Sequence, residues 1–259
     1  MAATYDTQGL PFFSVFGRQL VERADVRPGM TVLDVGTGRG AVLWPAAEAV
    51  GPEGRVVGID LSDEMIRRTS DDARARGLQH VDVRPGDAES PDFPAASLDR
   101  VLSGLVVFLL PDPLRALASW RQLLKPTGRL GVTIFSGVED ERWAPVNAII
   151  RRYLPGGPSK EDAAKSPAGT PDQLRESLLE LGYTDVEQHV ERHQMKFRDR
   201  EHWWSWTWTV GQRAAWERVP AEDLDDVRGE ALELISAFAS KDGTIPMWNE
   251  ICSTTASRG

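Results

Sequence analysis

The first half of the chain alternates short apolar runs with amphipathic stretches. Residues 30–35 (MTVLDV) form a branched, apolar run that ends in glycines, and residues 55–59 (RVVGI) repeat the pattern after the turn Gly51-Pro52-Glu53-Gly54; both predict buried strands. Over residues 60–77, Leu61, Met65, Ile66 and Ala73 recur at helical spacing. Ser62 suits the N-cap, Asp63 and Glu64 the positive end of the dipole, Arg74 and Arg76 the negative end, and Gly77 a left-handed stop. Further strands are predicted at 81–84, 98–102 and 129–135, with a helix opened by Asp112-Pro113 and ended before Lys125-Pro126. Alternation of this kind predicts a parallel sheet with right-handed crossovers, helices on both faces, and ligands at the carboxyl ends of the strands.

Beyond Phe135 the rhythm breaks. Residues 155–171 hold four Pro and three Gly with few apolar anchors, which predicts a lid or a connector. Regular structure resumes at the capping box Thr170-Pro171-Asp172-Gln173, followed by Leu174, Leu178 and Leu181 on one face and Gly182 at the end. A strand is predicted within 184–197 and an amphipathic helix over 224–238. A last strand over 244–254 follows the Asp242-Gly243 turn, with Pro246 confining it to an edge or a late start.

Composition narrows the reading. At 259 residues and 41% hydrophobic, the chain suffices for one α/β domain carrying a cap. Thirty basic against 39 acidic side chains leave a formal charge of −9, which repels a phosphate backbone, so nucleic acid is not the expected partner. The one cysteine, Cys252, has no partner for an internal disulfide, and no Cys/His cluster has metal-site spacing. With no apolar run long enough to span a bilayer and no signal-like start, a cytoplasmic protein without a membrane partner is expected; a homodimer is left open. Tryptophan is overused: nine residues against eight Phe and three Tyr, six of the nine beyond residue 200.

The informative motif is Val32-Leu33-Asp34-Val35-Gly36-Thr37-Gly38-Arg39-Gly40, a strand running into a glycine turn that lets the backbone approach a ligand closely. Twenty residues on, Asp60 ends the second strand, where an acid can accept from both ribose hydroxyls; its other reading is a helix-capping acid. Read as Gly36-x-Gly38-x-x-Ala41, the turn also fits a dinucleotide fingerprint and hence an NAD(P)-dependent oxidoreductase. Asp34 argues against that, because a pyrophosphate would meet its negative charge whereas an ammonium group would be attracted to it. S-adenosylmethionine carries an ammonium, a sulfonium and a ribose but no phosphate, and is the cofactor favoured. Pro85-Gly86-Asp87-Ala88-Glu89 follows the third strand, where an acid can take the adenine amine and the Ala88 N–H a ring nitrogen.

These residues together resemble the class I S-adenosylmethionine-dependent methyltransferases, especially the ubiquinone/menaquinone-biosynthesis-type (type 11-like) branch and its bacterial small-molecule relatives. The resemblance covers residues 5–135 with ordered motifs. It implies a Rossmann-like seven-stranded sheet, mostly parallel with an antiparallel last strand, helices on both faces and a helical cap. By the same resemblance, residues 1–28 are expected to form a helical segment closing over a cofactor, with 136–171 and 198–242 as cap or lid insertions. It also implies small-molecule methylation in secondary metabolism. The implied cofactor-binding residues are Asp34, Gly36, Thr37, Gly38, Gly40, Asp60, Leu61, Met65, Gly86, Asp87, Ala88 and Ser103. For Met65 an ordinary place in its helix core is the competing reading. Thr37 stands where the family has Cys or Ser, and Pro45 after Trp44 requires that the following helix start late or kink.

Methyl transfer from a sulfonium is an in-line displacement with a neutral leaving group, so positioning alone can supply about 7 to 11 kcal/mol. A base is needed only for a protonated nucleophile. Ser103-Gly104-Leu105-Val106 stands where nucleic-acid amino methyltransferases carry an Asn/Asp-Pro-Pro-aromatic element, and no Asp-rich metal set can be assembled. The expected acceptor is therefore an O or C nucleophile of a hydrophobic small molecule, less so N or S. Its contacts are expected from Tyr5, Phe12, Phe108, Trp143, Trp203, Trp204 and Trp208. On a helix Trp204 and Trp208 share one face and Trp203 and Trp206 another; cap packing is the competing reading. His202 is the histidine placed to act as base, while His189 and His193 read as a solvated strand face. A third reading is a cofactor-binding regulatory protein without transfer activity.

Overall fold

A computed structural model of the chain describes residues 10, 12–153 and 166–259. Seven strands form one sheet: β1 Thr31–Val35, β2 Arg55–Asp60, β3 Val81–Pro85, β4 Leu98–Gly104, β5 Leu124–Glu139, β6 Thr184–Phe197 and β7 Ile245–Ser257, in the order β3-β2-β1-β4-β5-β7-β6. β1 pairs in parallel with both β2 and β4, so the chain winds outward to β3 and then crosses to the other side of β1. The order reverses between β1 and β4, which opens a crevice at their carboxyl ends. β7 runs antiparallel to β5 and β6. It lies inside the sheet, but Pro246, its second residue, pairs with Lys196 of β6 alone, beyond the last β5 pair at Asn249, so at the proline the strand is locally an edge and does not start late.

β1 is buried on both faces after Thr31, which is why it reads as an unbroken apolar run. Leu33 and Val35 join a core with Trp120 of α4 (Pro113–Leu123) and Leu174 and Leu178 of α6 (Pro171–Glu180). On the other face Val32 packs with Leu20 of α1 (Phe12–Arg23) and Leu43 of α2 (Leu43–Val50). The caps read from the sequence form: Ser62 accepts from Met65 N at the start of α3 (Asp63–Ala75), Asp112 from Arg115 N, and Thr170 from Gln173 N.

Pro45 lies in the first turn of α2, so the late start removes the expected clash. It leaves the Ala41 carbonyl without a helical N–H, and α1 approaches there at Gly17, where a Cβ would fall 1.8 Å from that oxygen. Arg100, buried, donates to the carbonyls of Ala24 and Asp25 and so pins the end of α1 to β4.

A second core lies beyond the carboxyl end of the sheet. It is built from α5 (Trp143–Tyr153), α7 (Arg200–Thr207), α8 (Arg213–Trp216) and α9 (Leu224–Ser236), with Phe12 and Phe16 of α1 and the facing ends of β6 and β7. At its root the buried Asp140 accepts from Arg142 N and Nε through one oxygen and from Trp248 N through the other, while Arg142 also donates to the Pro246 carbonyl. The end of β5 and the start of β7 are thereby tied together.

Candidate active site

Gly36, Gly38 and Gly40 take φ of 72°, 48° and 85°, the left-handed region that side chains disfavour. Two of them also make room for neighbours: a Cβ on Gly36 would meet Val106 at 2.5 Å, and one on Gly40 the Trp44 ring at 2.5 Å. Around Gly38 nothing lies within 4 Å of that position, so the turn is open where a ligand would approach. The turn is fixed from below. Gly36 N and Thr37 N both donate to the Ile59 carbonyl at 2.9 Å, Thr69 Oγ1 donates to the Gly38 carbonyl at 2.7 Å, and Arg39 pairs with Asp72 at 2.6 Å.

Two acids flank it. Asp34 is buried and accepts from Thr37 Oγ1 at 2.7 Å. Burial pushes its carboxyl up to about 7, against the pull of the Thr37 hydroxyl and the Leu43 N–H, and the charge of Asp60 adds to the rise. A cation placed beside it would restore the ionised form. Asp60 accepts from Gly38 N through one oxygen and from Ser62 N through the other, both at 2.9 Å. It therefore closes a turn just ahead of Ser62, the residue that caps α3, and each oxygen retains a second lone pair.

Gly86 N donates to the Asp60 carbonyl, which brings the third motif alongside. Asp87 accepts from Glu89 N at 2.9 Å, and the Ala88 carbonyl accepts from Trp120 Nε1 at 2.7 Å. Leu61 on this rim is 76% exposed, an apolar face open to solvent, whereas Met65 is buried, matching its helix-core reading. The buried Ser103 hydroxyl donates to the Val35 carbonyl; it joins β1 to β4 rather than lining the crevice.

The second core reaches this turn through one short stretch. Leu105, in left-handed conformation at φ 58°, belongs to the second core, its neighbour Val106 seats on Gly36, and Phe108 packs against both the sheet core and the second core. Phe108 also meets the half-exposed Phe135 edge-on at 5.8 Å. The two indole faces expected of α7 are real: Trp204 packs on Trp208 and Trp216, while Trp203 and Trp206 pack on Trp143. Trp206 and Phe135, which join these ring contacts, are not among the residues that the sequence singles out; the i,i+3 spacing to Trp203 is the signal for the first.

Other expectations change. His202 is buried at the start of α7, and its Nδ1 accepts from Arg198 N at 3.1 Å. A neutral ring in that bond carries its proton on Nε2. His193 is not solvated: it packs on Phe16 at 4.1 Å, and burial lowers its tendency to protonate. Tyr5 lies outside the described residues. Among the described residues no group of three His, Cys, Asp or Glu could hold a metal, and no helix is long and apolar enough to cross a membrane. Surface hollows of about 340 Å³ and 190 Å³ lie at the amino ends of β2 and β3 and beside Trp44 on α2, away from the strand ends that carry the acids.

Residues 32–128, from β1 into β5, match the family model of a methyltransferase domain. Over 251 residues the chain is 36% identical to nocamycin O-methyltransferase of Saccharothrix syringae, covering 93% of this chain and 90% of that protein. The chain belongs to the class I S-adenosylmethionine-dependent methyltransferases. It is also 44% identical over 132 residues to aklanonic acid methyltransferase DauC of Streptomyces sp. (strain C5), 51% of this chain and 60% of that protein. The YcgJ protein of Bacillus subtilis superposes with a TM-score of 0.64 at 18% identity, covering 95% of this chain and 99% of that one, a likeness of fold. This methyltransferase therefore uses S-adenosylmethionine and transfers a methyl group to a small molecule. Neither the oxidoreductase reading nor the non-catalytic one is supported.

Proposed function

We propose that this methyltransferase methylates an oxygen of a hydrophobic, conjugated small molecule held between the glycine turn and the second core, which serves as its cap. The observation that carries the reading is the continuity of Gly36, Val106, Leu105 and Phe108 with the aromatic cap, which sets an apolar chamber wall against the cofactor turn. The activities named for the two curated relatives support it.

The residues that fit the cofactor are those of the turn and its rim: Gly38 gives close backbone approach, Asp34 meets the ammonium, Asp60 the ribose hydroxyls, Asp87 and Ala88 the adenine edge, and Leu61 its face. Bound there, the cofactor supplies a methyl group on a sulfonium that leaves as a neutral thioether. The chain's own part is to hold the acceptor oxygen in line and to keep water away, the positioning that can supply about 7 to 11 kcal/mol. With His202 committed to Arg198, the acceptor oxygen has to be acidic enough to ionise by itself, as a phenol or enol conjugated with a carbonyl can. Incubation with S-adenosylmethionine and a panel of phenols, enols, amines and thiols, reading S-adenosylhomocysteine release, tests this: turnover confined to amines or thiols overturns it.

A further inference from the structure

The tryptophans divide by the fate of their N–H. Trp44 donates to the Arg39 carbonyl at 2.9 Å, Trp120 to the Ala88 carbonyl at 2.7 Å, and Trp216 to Thr207 Oγ1 at 3.0 Å. In these three the fold itself supplies the indole N–H with an acceptor. Trp143, Trp203 and Trp206 differ: each is at least 97% buried, and among the described residues each buried Nε1 has no hydrogen-bond partner. They are also neighbours, with Trp143 of α5 at 6.3 Å from both Trp203 and Trp206 of α7. Buried polar groups are nearly always paired, so three orphans in one cluster call for a partner outside the chain.

Indole N–H only donates, so that partner is an acceptor. The ring neighbours of Trp206 from outside the indole set are apolar, Phe12 and Phe197. With no cation over any of the three indole rings among the described residues, the cluster suits carbonyl or delocalised enolate oxygens rather than phosphate or carboxylate. We infer that Trp143, Trp203 and Trp206 form the acceptor-recognition site of the cap, donating through their N–H groups to carbonyl oxygens on a flat conjugated substrate whose rings lie against the indoles. This rests on the proposed acceptor reading and adds the atoms that recognise it. Because the three Nε1 atoms are closed off from solvent, entry of the substrate separates α5 from α7.

The test uses the whole chain saturated with S-adenosylhomocysteine, labelled with ¹⁵N at its indoles, and two flat probes, 9,10-anthraquinone and anthracene, which share a ring system and differ in two carbonyl oxygens. Anthraquinone is expected to bind about tenfold more tightly, the worth of one added hydrogen bond. The orphan indole signals, identified through Trp143→Phe, Trp203→Phe and Trp206→Phe, are expected upfield before addition, and at least two of them are expected to move downfield with anthraquinone and not with anthracene. Each Phe variant is expected to weaken anthraquinone about three- to tenfold while leaving anthracene unchanged. Equal affinity for the two probes overturns the inference, as do indole signals already downfield without a probe, which would reveal trapped water. Where a Phe variant does not fold, the probe comparison on the unaltered chain decides. Failure of S-adenosylhomocysteine itself to bind would instead count against the cofactor site, so the two failures are separate.

Discussion

The glycine turn and the aromatic second core, the proposed cofactor and acceptor sites, are built by opposite means. In the turn almost every polar group is answered from within: Thr37 by Asp34, Gly38 by Asp60 and Thr69, Arg39 by Asp72. Its shape comes from backbone torsions, so it stands ready before any ligand arrives. The cap is shaped by large side chains from distant helices, and three of its donors stay unanswered. One region is built to present the same reagent every time, the other to be completed by what it receives.

The sharpest way to break that contrast is to put side chains on the turn. Gly36→Ala combines a left-handed torsion with a collision on Val106, and is expected to cost about 2 to 4 kcal/mol of stability in denaturant unfolding. Gly38→Ala meets no neighbour and is expected to cost only about 1 kcal/mol of stability, yet to abolish cofactor binding by calorimetry. Equal behaviour of the two variants would mean that the open side of Gly38 is not where the cofactor lies. Asp60→Ala is expected to weaken cofactor affinity by about 1.5 to 3 kcal/mol.

Asp34 supplies a pH test. Its folded carboxyl sits at about 7, above the ordinary 3.8, so the folded state holds a proton that the unfolded chain has lost. Stability from this group is therefore full below about pH 3.8, falls by up to about 1.4 kcal/mol per pH unit as pH rises, and levels off above about 7. A cationic ligand favours the ionised form, so cofactor binding near pH 6 should release a proton, seen in calorimetry as a heat that depends on the buffer. Asp34→Asn should abolish that dependence. The smallest effect is expected at His202: His202→Ala loses about 1 kcal/mol of stability, while the pH profile of turnover keeps its shape. A profile that loses one limb would restore the base.

The same contrast explains what the sequence discloses. Caps at Ser62, Asp112 and Thr170, and the glycine turn itself, depend on residues a few positions apart, so their signals are local and the structure bears them out. β5 runs from Leu124 to Glu139, past the expected 129–135: Pro126 and Gly137 read as breaks, and the ladders do shift register at both, but single pairs beyond them, Leu124 with Leu98 and Glu139 with Asn249, extend the strand. His193 reads as solvated because its cover, Phe16, arrives from α1 far away in sequence. Trp206 carries a local signal, its i,i+3 spacing to Trp203, but its partner Trp143 lies on another helix, and no spacing within 202–208 reveals which indoles lack acceptors.

The Asp140 clamp gives the cap a mechanical character. Just past their last pair, the segment leaving β5 and the strand returning at β7 are stapled by Asp140, so the helices inserted between them leave and re-enter the sheet at one fixed root. Selection can then refit the cap to new molecules, indole by indole, while the methyl-donor half stays in its inherited setting.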